Sequence, residues 1–280
     1  MRFFIFFISF ISMALAKPAE YKPVVEGELI GQLGNQMFII ATTVSYGLEH
    51  GLEPIFPTLL SEKGNNVPIN YKHLFYHLEA RKEPIQKIYK EPTANYREIP
   101  YFPNVRLSGY FQSEKYFIKH KEEILELFQP SEEIVSYLRE KYASIMDDPL
   151  AVSIHLRSYR KEDPRQKIYV QYDREYIEKA IKQFPKDSTF VVFSNDMKWC
   201  KKELSGLERK FIFIEGNAHY HDLYLMSFCK HNIISNSSFS WWGAYLNKNP
   251  EKKVIAPRCW YTKKCGIKEK DLVPDGWVRI

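Results

Sequence analysis

The sequence predicts an α/β protein with mainly parallel sheets, and three observations lead there. From Pro149 onward, short runs that are apolar throughout alternate with stretches of helical period, the pattern of strands covered on both faces by crossover helices. Each polar cluster in that half follows directly on such a run, where open parallel sheets bind their ligands. Near the N-terminus, GELIGQLGNQMF reads as strand, glycine turn and helix, because apolar residues recur at Met37, Ile40, Ala41, Val44 and Leu48 after Gly31 and Gly34.

In chain order, Glu53 to Pro57 reads as a second short strand, and residues 58 to 105, rich in Pro, Tyr, Asn and Lys, show no clean period. Arg106 to Phe111 reads as a strand, followed by helical patterns over 114 to 128 and 132 to 145. Ser131 is the N-cap of the latter, with two glutamates in its first turn. Beyond Pro149, LAVSIHL is a strand, and Asp173 caps a helix with Tyr176, Ile177, Ala180, Ile181 and Phe184 on one face. TFVVFS, FIFIE, NIIS and KVIAP are further strands. Lys198 to Leu204, HDLYLMSFCK and SFSWWGAYL are the helices between them.

A chain of 280 residues accommodates one large domain or two Rossmann-sized lobes. The net charge of +6 is spread along the chain, which suits a small anionic ligand and gives no nucleic-acid footprint. Arg2 precedes thirteen uncharged, mostly apolar residues, Phe3 to Leu15, and Ala14-Leu15-Ala16 offers a small-residue cleavage pattern. The run is short of the roughly 20 residues of a membrane-spanning helix. Residues 1–16 therefore read as a signal peptide, with a short membrane anchor as the alternative. Cys200, Cys229, Cys259 and Cys265 lack the spacing of a zinc site. Cys259 and Cys265 are close enough to close a small loop in an oxidising compartment, whereas Cys200 and Cys229 sit in helical patterns as buried thiols.

The polar clusters carry the chemistry. VSIHLRSYRKED places His155 and Arg157 at a strand end and Arg160 just past it, FSNDMKW places Asn195 and Asp196 after the next, and IISNSSFSWWGA places Asn236, Ser237, Ser238 and Ser240 between strand and helix. Hydroxyls and free N–H groups at a helix start hold phosphate oxygens. Each residue also has a plainer reading: His155 as a hydrogen-bonded core histidine, Arg157 as an ion pair with Asp163, the Asn and Ser residues as helix caps, and Trp241 or Trp242 as core aromatics. GQLGNQMF by itself matches neither standard phosphate-loop signature and reads better as a tight turn packing a helix on a sheet.

GQLGNQMF, the HLR of VSIHLRSYR, FSNDMKWCKK and DLYLMSFCKHNIISNSSFSWWGAYLN resemble, in order, the successive signatures of the α-1,2-fucosyltransferases, the galactoside 2-α-L-fucosyltransferase family, from about residue 27 to about residue 260. The resemblance implies a GT-B-like fold of two Rossmann-like lobes, here an N-terminal acceptor-side lobe over 24–148 and a C-terminal donor lobe over 149–280. It also implies GDP-L-fucose as donor, a galactose-terminated glycan as acceptor, no cofactor and no metal, in keeping with the absence of an Asp-x-Asp motif. Arg157 corresponds to the first arginine of the family's His-x-Arg-Arg pattern and is expected to stabilise the leaving diphosphate. Asn35, after the paired glycines, is expected near the donor phosphates with Gly34. Arg160, Asn195, Asp196, Asn236, Ser237, Ser238 and Ser240 complete the expected donor site. The chain departs from the pattern at Ser158, where the second arginine would stand, and Arg160 is the replacement cation. Glu162 and Asp163 are the displaced acidic residues, candidate bases alongside His155. The competing readings are a secreted glycan-binding pseudoenzyme that stacks sugar on an exposed tryptophan, and a transferase using another nucleotide sugar. The expected location is a secretory-pathway lumen such as the Golgi, membrane-associated or not, or the cytoplasmic face of a membrane in a bacterium.

Overall fold

The computed structural model describes residues 22–59, 70–159 and 163–280. The proposed signal peptide, Arg160 and Glu162 lie outside the described residues. Among the described residues no helix is long and apolar enough to cross a membrane.

Two parallel sheets divide the chain. The first is formed by β1 (Val24–Gly27), β2 (Glu53–Ile55), β3 (Lys87–Lys90) and β4 (Val105–Ser108) in the order β2-β1-β4-β3. The second is formed by β5 (Ala151–Leu156), β6 (Thr189–Ser194), β7 (Lys210–Phe213), β8 (His231–Ile233), β9 (Val254–Ala256) and β10 (Val278–Arg279) in the order β10-β9-β8-β5-β6-β7. Read from β7, that is the doubly wound order in which the first strand lies inside and direction reverses between β5 and β8. The carboxyl ends of β5 and β8 therefore open a crevice, and the clusters after HL and after IIS stand on its two sides. In the first sheet the order reverses between β1 and β4, so the loops after these two strands stand at the corresponding place.

The helix α1 (Leu33–His50) explains the glycine-rich opening. It is buried on most of its circumference, because one side packs on β1 and β2 and the other on the helix α7 (Ser238–Tyr245) from the second half of the chain. A Cβ on Gly34 would stand 2.4 Å from the Ser238 carbonyl carbon and 2.5 Å from the Phe239 nitrogen. The glycine is required by helix meeting helix, not by a phosphate meeting backbone. Gly51 ends α1 in the left-handed conformation at φ 67°, returning its N–H to the Gly47 carbonyl.

Trp241 and Trp242 lie at this junction, both fully buried. The Trp242 indole donates to the Gly34 carbonyl at 3.0 Å and that of Trp241 to the Leu272 carbonyl at 2.9 Å. Phe38 of α1 packs against both rings at 4.5 and 5.1 Å. One continuous apolar cluster thus runs through both sheets' helices, and neither of these two tryptophans is exposed for a sugar to stack on.

The remaining helices are α2 (Lys121–Leu127), α3 (Glu132–Met146), α4 (Arg174–Ile181), α5 (Met197–Leu204) and α6 (His219–Phe228). Ser131 and Asp173 cap α3 and α4 as expected. The helical pattern over 114–128 is broken into two 3₁₀ turns, Glu114–Tyr116 and Ile118–His120, before α2 begins. The stretch without period contains β3 and a π-turn at Tyr71–Phe75. β3 is an edge strand with three of four residues exposed, so it carries no burial alternation to read. Cys200 and Cys229 are buried thiols, and Cys259 and Cys265 are also free, the latter donating to the Thr262 carbonyl.

Candidate functional site

The carboxyl ends of the two sheets face each other across a cavity of about 560 Å³. The second sheet contributes His155, Arg157, Asn195, Asn236, Ser237 and Ser238 to its wall, and the first contributes Gly34, Asn35, Tyr110 and Gln112.

Arg157 follows the last residue of β5. Its guanidinium lies 5.7 Å from the centre of the Tyr159 ring, and among the described residues it forms no ion pair. Burial lowers its pKa, offset in part by the Tyr159 oxygen. Tyr159 is itself fixed: its hydroxyl donates to the Asn236 carbonyl at 3.2 Å, its N–H to Gln171 Oε1 at 2.8 Å, and its ring stacks on Tyr169 at 5.1 Å. The plainer reading of Arg157, a pair with Asp163, does not hold. Asp163 instead takes Arg165 in a fork, with Nε at 2.8 Å and Nη2 at 2.6 Å. That partner holds the Asp163 carboxyl down at about 2.

His155 is 5 % exposed. Its Nδ1 is 3.0 Å from Ser235 Oγ, and burial, reinforced by Arg157, pushes its pKa down to about 3. It is a neutral wall residue and a weak base.

Several predicted ligand residues are already engaged by protein. The Asn195 amide accepts from the Ser158 N–H at 2.9 Å and donates to the Ser158 carbonyl at 3.0 Å, clamping the backbone next to Arg157. Asn236 Nδ2 donates to the Val170 and Trp260 carbonyls at 2.7 and 2.9 Å. Asn35 Oδ1 accepts from Ser238 Oγ at 2.7 Å and Gln112 Nε2 at 2.8 Å, so it joins the two halves where α1 and α7 begin. Ser237 caps α7 without a side-chain bond to it, leaving the helix's first N–H groups to an acceptor from outside. Asp163, Asp196 and Ser240 do not line the cavity. Asp196 Oδ1 accepts from the Trp199 N–H at 3.1 Å as the cap of α5, and Ser240 Oγ donates to the Ser237 carbonyl within α7.

The sequence reading missed Arg165, Tyr159, Asn70, His219 and Asp222 on the same wall. His219 pairs with Asn70 Oδ1 across the cavity floor. Asp222, the single acid among the described lining residues, accepts from Asn217 Nδ2 at 3.0 Å, and burial raises its carboxyl to about 6. Its signal was the one acid of the helix HYHDLYLMSF, in a first turn shared with His219 and His221. Among the described residues no three His, Cys, Asp or Glu side chains converge on a metal position.

Two Rossmann-like lobes closing on a cavity at their facing strand ends define a GT-B-like glycosyltransferase fold. The sequence profile of glycosyl transferase family 11 matches residues 11–280, and the chain belongs to that family. It is 35 % identical over 185 residues to an α-1,2-colitosyltransferase of Escherichia coli, the match covering 63 % of each chain. It is 30 % identical over 246 residues to galactoside α-(1,2)-fucosyltransferase 2 of Oryctolagus cuniculus, covering 78 % of this chain and 65 % of that one. The chain thus spans somewhat under two thirds of the length of these relatives. Among solved structures, the α-1,6-fucosyltransferase NodZ soaked with GDP-fucose superposes with a TM-score of 0.55 at 12 % identity, over 81 % of this chain and 93 % of that one.

Proposed function

We propose that the chain transfers L-fucose from GDP-β-L-fucose to the 2-hydroxyl of a terminal galactose, with inversion. The observation that carries this reading is Arg157, a half-buried guanidinium that lines the cavity with the start of α7, where the Ser237 side chain makes no cap bond, and that has no ion pair among the described residues. A diphosphate meets that pair of donors through the planar fork of the arginine and the helix N–H groups. The acceptor oxygen attacks C1 of the fucose as the bond from C1 to the phosphate oxygen breaks, and its electrons pass to the departing GDP. Arg157 receives the growing charge, in this reading without a metal ion. The donor's guanine presents N1–H and 2-amino donors side by side, which an ionised Asp222 accepts together.

His155 and Asp163, with pKa values near 3 and 2, are poor proton acceptors. The transition state is oxocarbenium-like, so the 2-hydroxyl proton is lost late, to the leaving phosphate or to water, and the reaction rests on stabilising the diphosphate.

A second donor is favoured by one observation: the relative with 35 % identity is named as a colitosyltransferase. Colitose lacks the 3-hydroxyl of fucose, so the two donors differ at one position of the same sugar. The test is GDP release by the purified chain with lactose and either donor. Turnover with GDP-fucose supports the first reading, and turnover with the colitosyl donor alone replaces it by the second. A folded protein that binds no GDP overturns both. The apolar run at residues 3–15 supports a secretory-pathway or membrane-bound enzyme, which its recovery from host membranes or lumen would check.

A further inference from the structure

The loop after β4 spends conformational strain to present one aromatic ring to the cavity. Phe111 is a non-glycine residue at φ 50°, in the left-handed region, and its side chain is fully buried against Tyr89 and Tyr116. Gly109, at φ 157°, has no room for a side chain, since a Cβ would stand 2.4 Å from that of Glu91. Glu91 Oε2 accepts from the N–H groups of both Tyr110 at 2.7 Å and Phe111 at 3.0 Å. Between these two anchors Tyr110 is held outward, 44 % exposed yet on the cavity wall. A large ring left this open, on a turn this tightly fixed, gains nothing from burial in the free protein. Strain of this sort, held by surrounding contacts, is characteristic of ligand-facing positions.

The ring's position selects its ligand. The cations and the helix start suited to a nucleoside diphosphate belong to the second sheet, whereas Tyr110, like Asn35 and Gln112, comes from the first. Across the cavity stand Tyr169 and Tyr159, stacked on each other at 5.1 Å, and Tyr169 is close enough to Tyr110 to feel its hydroxyl, after burial the next cause of its raised pKa. The slot between the lobes is thus bordered by aromatic rings, with Gln112 on the same wall. A galactopyranose has an axial 4-hydroxyl, so C3–H, C4–H, C5–H and C6 form one apolar face that lies flat on a tyrosine. The 2-hydroxyl then stays on the ring edge, free to turn towards the donor.

We propose that Tyr110 is the acceptor platform of this cavity, stacking the apolar face of a terminal β-galactoside, and that Glu91 is the positioning residue that fixes its ring. The substrate class rests on the fucosyl-transfer reading above, while the platform itself is a binding statement and is tested as one.

The experiment measures methyl β-galactoside binding by saturation-transfer NMR with GDP present, and in parallel GDP affinity and steady-state turnover. Tyr110→Ala is expected to weaken galactoside binding, and raise acceptor KM, by about tenfold, leaving GDP affinity and kcat at saturating acceptor within about threefold of the wild-type protein, a margin of about 0.65 kcal/mol. Tyr110→Phe retains the ring and the wild-type behaviour. Glu91→Ala reproduces the KM effect in part and Glu91→Gln, which keeps an acceptor oxygen, restores it. Unchanged galactoside binding in a folded Tyr110→Ala protein overturns the platform, as does loss of GDP affinity with acceptor KM unmoved, which would mean that the ring stacks the purine. Tyr110-dependent galactoside binding by a protein without turnover keeps the platform and refutes the transferase reading instead.

Discussion

The two sheets meet the cavity in opposite ways. The second sheet brings two six-residue strands, β5 and β6, buried almost throughout at its centre, and the polar residues on and after its strands are mostly bound to protein: Asn195 to the Ser158 backbone, Asn236 to two carbonyls, His155 to Ser235, Asp163 to Arg165. The first sheet brings short strands and an exposed edge, and its loops offer an open ring in Tyr110 and a shared hinge-point in Asn35. On the side of the second sheet most polar groups are engaged by protein, and the start of α7 is not. Arg157 is the cavity cation without an ion pair among the described residues, whereas Arg165 is paired with Asp163, and on the other side the open ring is held by loop geometry.

Arg157 therefore carries the largest expected effect. Arg157→Ala should lower turnover by on the order of a hundred- to a thousandfold, measured as GDP release at saturating donor and acceptor, while the melting temperature moves little because the guanidinium has no ion pair to lose among the described residues. Arg157→Lys keeps charge without the fork and should recover only part of the rate. Near-wild-type turnover in the alanine variant would erase the contrast between the saturated groups and the free one.

The junction between the sheets comes next. Gly34→Ala places a methyl against backbone on the far side, 2.4 Å from the Ser238 carbonyl carbon, where no side chain can swing away. It should destabilise the fold by about 1–3 kcal/mol, read as a lowered midpoint in thermal or urea unfolding. GDP affinity should fall with it, because the start of α7 moves. An unchanged midpoint would mean that α1 and α7 are not pressed together as described.

Legibility in the sequence followed the same divide. Five strands after Pro149 were readable because the central ones, buried on both faces, leave uniform apolar runs between helical periods, whereas β10, two exposed residues at the sheet edge, left no such run and was not read. β3 was not, since an edge strand with the sequence KIYK has no buried face to print a period. Polar residues after strands announced the cavity, but not which of them face it. Asp196 and Ser240 look from sequence like Asn195 and Ser237, yet one caps α5 and the other turns back into α7. That choice is made by backbone angle at the helix start. Asp222 was hidden because a single acid in a helix's first turn matches an ordinary first-turn residue, and Tyr110 because a turn's strain is invisible without its φ values.

Asn195 tests the saturated side directly. Asn195→Ala removes both bonds to Ser158 without touching a group assigned to the ligand, so it should cost about 1–2 kcal/mol in stability. Donor kcat/KM should fall by about tenfold through looser placement of Arg157. Asn195→Asp keeps the acceptor for the Ser158 N–H but sets a carboxylate against its carbonyl, and should be no better. A loss in stability with unaltered kinetics would make the clamp purely structural.

The smallest effect, and the most specific, is a pH dependence at Asp222. Burial raises its carboxyl from 3.8 to about 6, so the folded chain binds this proton more tightly than the unfolded one between those values. The ligand-free fold accordingly loses this contribution as pH rises through that window. Guanine has the opposite demand, because its adjacent N–H donors require the ionised carboxylate. GDP affinity should therefore be full above about pH 7 and fall below about pH 6, by at most about tenfold per unit. Burial lowers the pKa of His219 on the same wall, and Lys141, a cation acting on Asp222, has its own pKa raised by the Tyr137 and Tyr142 hydroxyls. Diphosphate ionisation also changes near pH 6, but inosine diphosphate shares it and lacks the 2-amino donor. The ratio of GDP to inosine diphosphate affinity thus isolates Asp222: it should exceed unity at pH 7.5, shrink towards unity by pH 5, and be flat in Asp222→Asn. A ratio independent of pH in the wild-type chain would remove Asp222 from the purine and leave donor recognition to Arg157 and the start of α7.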